Sequence, residues 1–66
     1  MNITLNGKPH TLGQEFSVGD LVRSLGYQDK RIAVERNGDI VPKSRHDDTP
    51  LAENDAIEIV VAVGGG

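Results

Sequence analysis

Apolar and polar residues alternate near both ends of the chain, which is the pattern of strands that bury one face. At the start, Ile3 and Leu5 alternate with polar neighbours and are followed by Asn6-Gly7. Asn-Gly suits the positive φ angles of a type I′ hairpin turn, so a return strand is predicted at residues 8–12. Pro9 lacks an N–H donor, and we therefore expect this strand at a sheet edge.

The next segment carries the signals of a short helix. Ser17 is suited to cap its first turn, and Asp20 completes a capping box three residues later. Phe16 is expected to pack on Leu21 as a hydrophobic staple. One apolar stripe at helical spacing should face the core, formed by Val18, Leu21, Val22 and Leu25. Gly26 is expected to end the helix in the left-handed conformation.

A second strand pair is predicted at residues 32–36 and 39–41, joined by the dipeptide Asn37-Gly38. Pro42 should end it. Residues 43–54 are mostly polar, so we expect a loop with room for a helical turn and with Leu51 inserted into the core.

The last predicted strand, residues 56–63, is apolar on both faces at its far end. One face carries Ile57, Ile59, Val61 and Val63, and the other carries Ala56, Glu58, Val60 and Ala62. Such a strand is usually central and covered by a helix on one side, which leaves the second face for another contact. We expect Val60 and Ala62 to form a docking patch for a partner protein. The order of elements is compatible with an α+β sheet packed on one helix.

Length and composition narrow the possible functions. A chain of 66 residues has room for one domain, predicted at residues 1–63 with a glycine tail at 64–66. The absence of cysteine excludes disulfides, thiol catalysis and thiolate metal sites. A net charge of −3 with scattered basic residues argues against binding to nucleic acids or anionic membranes. No signal peptide or membrane span is visible, and the expected location is the cytoplasm.

Side chains that could support catalysis or bind a metal are few. His10 and His46 lack a carboxylate or cysteine at ligand spacing, so both are expected to be solvated, with no metal or catalytic role. Asp47-Asp48 does not have the spacing of a calcium loop and is expected to solvate a turn. A group of basic residues should form a solvated face, namely Lys30, Arg31, Arg36, Lys43 and Arg45.

The glycines at positions 64–66 have no evident structural use, because they cannot pack and are costly to order. They are either a frayed end or a tail thin enough to enter a narrow channel. The carboxylate of Gly66 could attack the α-phosphate of a nucleotide held by another protein, which would give an acyl adenylate. Sulfide from an external source could then yield a thiocarboxylate. Without cysteine, sulfur could be carried only at Gly66.

Several segments resemble a known family, the ThiS-like sulfur carriers of thiamine thiazole biosynthesis, which have the ubiquitin-like β-grasp fold. The matching segments are residues 3–7, Phe16-Ser17-Val18 with Leu21 and Leu25, residues 33–42, and residues 57–60 and 62–66. Together they cover nearly the whole chain. The family often has Asp-Gly-Asp before the last strand, where this chain has Glu53-Asn54-Asp55. Asn54 tolerates a left-handed φ, so the turn should be kept. The resemblance implies a mixed sheet of four to five strands on one helix.

The resemblance also implies a function and a set of partners. Gly66 would be adenylated by an E1-like adenylyltransferase of the ThiF type, which uses ATP, and the chain itself would bind no cofactor. A sulfur donor such as a cysteine desulfurase would supply the thiocarboxylate sulfur, and a thiazole synthase of the ThiG type would receive it. Gly64 and Gly65 would thread the active sites of the partners. The chain would be a carrier and co-substrate rather than an enzyme.

Three alternatives remain open at this point. The small subunit of molybdopterin synthase also ends in Gly-Gly but is usually longer. A ubiquitin-like modifier that is conjugated to proteins would use the same activation chemistry. A non-covalent ubiquitin-like binding module would need no free tail at all.

Overall fold

The computed structural model describes residues 1–62 of the chain. The strands are β1 (Asn2–Leu5), β2 (Lys8–Thr11), β3 (Ile32–Arg36), β4 (Asp39–Val41) and β5 (Ala56–Val61). The helix α1 spans Val18–Ser24, and a 3₁₀ helix spans Lys43–Arg45, where a helical turn was expected. The predicted boundary between a domain of residues 1–63 and a tail of 64–66 lies outside the described residues.

The strands form one mixed sheet with the order β2-β1-β5-β3-β4. The central strand β5 runs parallel to β1 and antiparallel to β3, whereas the two hairpins, β1 with β2 and β3 with β4, are antiparallel. The prediction that the last strand is central is therefore confirmed. Pro9 lies on β2, at an edge of the sheet as expected. An edge strand pairs with a neighbour on one side only, so it tolerates a residue that has no N–H to donate.

Both predicted Asn-Gly turns have the backbone that a type I′ hairpin requires. The φ angles are 52° and 80° at Asn6 and Gly7, and 52° and 88° at Asn37 and Gly38. Asn54 also adopts a left-handed φ, of 70°. These turns set the register of the two hairpins, which decides the face of the sheet on which each strand residue lies.

The helix begins as the sequence predicts. The hydroxyl of Ser17 accepts a hydrogen bond from the Asp20 N–H, and the Asp20 carboxylate accepts one from the Ser17 N–H. Gly26 follows the helix with a φ of 77°. The predicted staple is wrong, because Phe16 is 74% exposed whereas Leu21 is fully buried. Phe16 is held through its backbone instead, and its C=O accepts from the N–H of Leu51, whose side chain is buried.

The core lies between the helix and one face of the sheet. Its buried members are Ile3, Leu12, Val18, Leu21, Val22, Val34, Val41, Leu51, Ile57 and Ile59. The insertion of Leu51 into this cluster was expected from the sequence. Burial of these aliphatic side chains supplies the main driving force for folding, at about 25 cal/mol per Å² of apolar surface.

The start of the helix packs against the segment that follows the 3₁₀ helix. The N–H groups of Val18 and Gly19 donate to the carbonyl oxygens of Thr49 and His46, each at 2.9 Å. These bonds satisfy two of the N–H groups that an isolated helix leaves without partners. A Cβ at position 19 would collide with the carboxylate of Asp47, which would have to move, and would lie 3.3 Å from the Asp47 Cα.

His46 is buried rather than solvated, which corrects the expectation from the sequence. Only 8% of its surface is exposed, and its Nε2 lies 3.1 Å from the carbonyl oxygen of Val41. Since a carbonyl oxygen only accepts, Nε2 must carry the proton and donate. The side chain therefore connects the segment after the 3₁₀ helix to the end of β4. This role depends on a contact that the sequence pattern could not reveal.

Candidate functional site

The candidate site is the end of β5, which leads into residues 63–66. Ile57 and Ile59 bury this strand in the core, where their exposed fractions are 0% and 5%. On the side of β1, the N–H of Asn6 donates to the Ile57 carbonyl at 2.9 Å. The Asn6 side chain then continues the ladder, because its Oδ1 accepts from the Ile59 N–H at 2.8 Å and its Nδ2 donates to the Ile59 carbonyl at 3.2 Å.

On its other side, β5 is paired with β3 from Ile57 to Val61. The register places Ile32 opposite Val61 and Ala33 opposite Val60. Beyond the strand, the Ala62 N–H donates to the Arg31 carbonyl at 2.8 Å. The backbone is thus held by hydrogen bonds up to residue 62. The predicted sulfur-carrying residue Gly66 and the predicted threading residues Gly64 and Gly65 lie outside the described residues.

The start of β5 is fixed by Asp55, whose side chain is buried. Its carboxylate accepts hydrogen bonds from Arg36 Nε at 2.8 Å, Asn37 Nδ2 at 3.0 Å and the Ala52 N–H at 2.8 Å. Burial raises the pKa of this carboxyl group, but the hydrogen bonds from Asn37, Arg36 and Ala52 outweigh it and hold the pKa below its ordinary value. The ionised Asp55 therefore ties the turn before β5 to the hairpin of β3 and β4.

The outer face of the sheet, opposite the helix, presents apolar side chains to solvent near the end of β5. Val60 is 64% exposed and Ala62 is also exposed, as the sequence predicts for the docking patch. The register adds Ala33 opposite Val60, and places Ile40, 74% exposed, opposite Glu35 on the same face. A group of this kind on an otherwise polar surface is typical of a protein-binding site.

Two carboxylates lie within this apolar group. Glu35 is opposite Glu58 in the register of β3 and β5. Like charges at opposite positions destabilise a sheet, so this pair is a cost to the stability of the free protein. We define the outer patch as Ala33, Glu35, Ile40, Glu58, Val60 and Ala62. The sequence pattern identified only its residues on β5, because β4 has two neighbouring apolar residues and the pattern does not tell which of them faces outward.

The other candidate residues do not assemble into a reactive cluster. Within residues 1–62, no three His, Asp or Glu side chains are grouped as metal ligands. The carboxylate of Asp47 forms an ion pair with Arg23 at 3.0 Å, and His46 belongs to the core contacts described above. No helix in the described part of the chain is long and apolar enough to cross a membrane.

Comparison with known families decides what this arrangement represents. The model of the ThiS family matches residues 3–66, which include the central strand and the glycines at 64–66. The chain belongs to the ThiS family. The resemblance found in the sequence is thereby confirmed.

The proteins similar to this chain include both short and long ones. The sulfur carrier protein ThiS of Bacillus subtilis is 38% identical over 65 residues, which cover 97% of this chain and 98% of that protein. A thiazole synthase of Paramagnetospirillum magneticum is 36% identical over all 66 residues, and one of Magnetococcus marinus is 38% identical. This chain spans only 20% of the length of either thiazole synthase.

A solved ThiS structure has the same fold. The crystal structure of the thiamine biosynthesis protein ThiS from Geobacter metallireducens superposes with a TM-score of 0.83 at 35% identity, and the match covers all of both chains. The solution structure of a thiamine biosynthesis protein from the same organism gives a TM-score of 0.81. The predicted β-grasp fold, a mixed sheet packed on one helix, is confirmed.

Proposed function

We propose that this protein is a sulfur carrier for formation of the thiazole moiety of thiamine and that the carboxyl group of Gly66 carries the sulfur. The observation that carries the proposal is the ThiS family match, which runs through the core and through the glycines at 64–66. The hydrogen bonds that hold β5 up to Ala62 support it, because they give those glycines a fixed point of attachment.

The proposed chemistry takes place on partner enzymes. A carboxylate is a poor electrophile, and its oxygen would attack the α-phosphate of ATP, form a C–O–P linkage and release pyrophosphate. Sulfide would then attack the acyl carbon, displace AMP and leave a thiocarboxylate. If the donor is a persulfide, its terminal sulfur would displace AMP to give an acyl disulfide, and an external thiol would reduce the S–S bond to release the same thiocarboxylate. The side chains of residues 1–62 would position the tail, and the chain would be a co-substrate rather than an enzyme. It would bind no cofactor, and ATP would be bound by the activating partner.

The proposed partners are an E1-like adenylyltransferase of the ThiF type, a sulfur donor such as a cysteine desulfurase, and a thiazole synthase of the ThiG type. The thiazole synthases that contain a segment similar to this chain support the last of these, because that segment and the remainder share one polypeptide. The names of the Bacillus and Geobacter relatives support a role in thiamine biosynthesis over one as the small subunit of molybdopterin synthase.

Intact-protein mass spectrometry tests the proposal. The purified chain is incubated with ATP, a ThiF-type activating enzyme and a sulfur source, and each reactant is omitted in turn. We expect a mass gain that corresponds to AMP, followed by replacement of one oxygen by sulfur, with fragmentation placing both changes at Gly66.

The activating enzyme must modify its own carrier in a parallel reaction, which shows that it is active. If several such enzymes modify their own carriers and leave this chain unchanged, the proposal is wrong and a non-covalent binding module becomes the better hypothesis. The same conclusion follows if a C-terminal extension of the chain leaves its function intact.

The outer patch is proposed to dock the activating enzyme, and a charge at its centre should weaken binding. In Val60→Lys, a buried apolar contact would be replaced by a desolvated ammonium group, and we expect the Kd to rise about tenfold or more. Stability should change by no more than about 0.5 kcal/mol, because Val60 is 64% exposed in the free protein. Isothermal titration calorimetry and urea unfolding measure the two quantities.

Phe16→Lys provides the matched control. Phe16 is 74% exposed and is also apolar, but it precedes the helix and is not part of the sheet. This variant should bind with an unchanged Kd. A folded Val60→Lys chain that binds as tightly as Phe16→Lys would exclude the outer patch as the docking surface.

A further inference from the structure

An open groove of about 470 Å³ lies beside the end of β5, on the side of the molecule that carries the helix. One wall is the segment between α1 and β3, and the other is formed around the 3₁₀ helix. The lining residues that matter for its chemistry are Val22, Tyr27, Lys30, Arg31, Lys43 and His46. Val22 and His46 are buried and form part of its floor, whereas the lysines and the arginine are exposed.

The groove gathers positive charge in a chain whose net charge is −3. Within the described residues, Arg23 and Arg36 form ion pairs with aspartates, whereas Lys30, Arg31 and Lys43 form none. Asp29 is the one carboxylate among the residues that line the groove. The nearby carboxylate of Asp47 is engaged by Arg23 at 3.0 Å. Positive charge therefore exceeds negative charge along this surface.

The groove also adjoins the point where β5 ends. Arg31, which lines it, accepts the hydrogen bond from the Ala62 N–H through its backbone carbonyl, and Ile32 lies opposite Val61. A protein that binds residues 63–66 therefore binds a segment that directly follows a residue hydrogen-bonded to the groove. The outer patch, which carries Glu35 and Glu58, lies on the opposite face of the sheet and has the opposite charge.

We propose that this basic groove docks an acidic peptide segment, rich in Asp and Glu, of the partner protein that takes up residues 63–66. The proposal rests on the proposed function for the identity of that partner, but the charge and shape of the groove stand independently of it. A small anion fits less well, because small-molecule sites usually enclose about 70–90% of their ligand, whereas this groove is open. Exposed lysines and arginines instead attract an extended acidic segment through long-range electrostatics.

Titration of the ¹⁵N-labelled chain with an acetylated hexaglutamate peptide tests the groove directly by NMR. We expect amide shifts at residues 27–32 and at Lys43 and His46, which line the groove, and these shifts should weaken as the salt concentration rises. The variant Lys30→Glu/Lys43→Glu should bind the peptide about tenfold more weakly than the wild type. The matched control is Lys8→Glu/Arg45→Glu, which changes the net charge equally at exposed residues outside the groove and should bind like the wild type.

Two outcomes of the peptide titration would overturn the proposal. One is an equal loss of peptide binding in the groove variant and in the matched control, which would show a response to net charge alone. The other is binding of inorganic phosphate at the same residues as tightly as the peptide, which would indicate a small-anion site.

A parallel measurement of KM for adenylation by a ThiF-type enzyme links the groove to the tail. The groove variant should raise KM about tenfold with little change in kcat, whereas the control should change neither. If the wild-type chain is never adenylated, the proposed function fails, while the peptide titration still decides whether the groove binds acidic segments. If the wild-type chain is adenylated and the groove variant has the same KM as the wild type, the proposal that the activating enzyme docks in the groove is overturned.

Discussion

Deletion of Gly66 is expected to abolish the acceptance of AMP, the largest effect predicted for this protein. The carboxylate of the shortened chain would stop roughly 3.5 Å short of the nucleotide, the length of one extended residue. Misplacement of a reacting atom by 1 Å can cost about 100-fold in rate, so we expect a loss of at least that factor. The measurement is pyrophosphate release by a ThiF-type activating enzyme at saturating concentrations of the shortened chain.

A variant of unchanged length distinguishes the position of the terminal carboxylate from the width of the channel that the tail enters. Gly66→Ala retains the position of the carboxylate but adds a Cβ, so it tests whether the channel admits a side chain. If the channel is as narrow as proposed, this variant should also react slowly, while both altered chains should bind the enzyme through an unchanged domain. Full turnover by the chain that lacks Gly66 would contradict the proposal that the carboxylate of Gly66 reacts with the nucleotide.

The second large effect concerns stability and is expected for Asp55→Ala. This change removes the acceptor for Arg36, Asn37 and the Ala52 N–H, and it leaves a half-buried guanidinium without its ionic partner. We expect a loss of about 3 kcal/mol in the free energy of unfolding. That loss is a large part of the total free energy of unfolding, which is roughly 3–10 kcal/mol for a chain of this length. Urea unfolding at neutral pH measures it.

The pH dependence of this effect follows from the lowered pKa of Asp55. Because its pKa is lower in the folded state than in the unfolded state, the ionised carboxylate stabilises the fold above the unfolded pKa of about 3.9. This contribution is lost as the pH falls through the lower pKa of the folded state. The stability of Asp55→Asn should therefore approach that of the wild type below about pH 4.

Glu53→Ala is the matched control, since the exposed Glu53 carboxylate accepts only from the Asn2 N–H among the described residues. The free energy of unfolding of Glu53→Ala should be lower than that of the wild type by less than about 1 kcal/mol. A difference between Asp55→Asn and the wild type that is the same at neutral and at acid pH would show that packing, rather than charge, explains the effect of Asp55.

If the outer patch and the basic groove both act as proposed, they give the carrier two docking surfaces of opposite charge near the end of one strand. An activating enzyme that uses both surfaces would need an acidic segment for the groove and an apolar or basic surface for the outer patch, which would fix its orientation on the carrier. Competition binding with Val60→Lys and with the groove variant would distinguish these surfaces.

The sequence by itself determined the local elements. Asn-Gly at two positions, the capping box of Ser17 and Asp20, and Gly26 each act through the backbone of a few neighbouring residues, and the structure confirms them all. The alternation along the last strand likewise predicted its buried and exposed faces as far as Val60, whereas Val61, on the same face as Ile57 and Ile59, is 37% exposed. The chemical hypothesis for Gly66 also came from the sequence, because it depends on residue type at one position.

Only the tertiary structure decided which distant residues lie together. Ile40 joins Val60 through the register of three strands, Lys30 and Lys43 meet in one groove, and His46 is buried against Val41. The failed staple of Phe16 has the same origin, because Leu51, more than thirty residues away, pairs with its backbone and fills the core. Local patterns report the preferences of neighbouring residues, whereas these contacts exist only after the burial of apolar surface has offset the entropy of closing long loops.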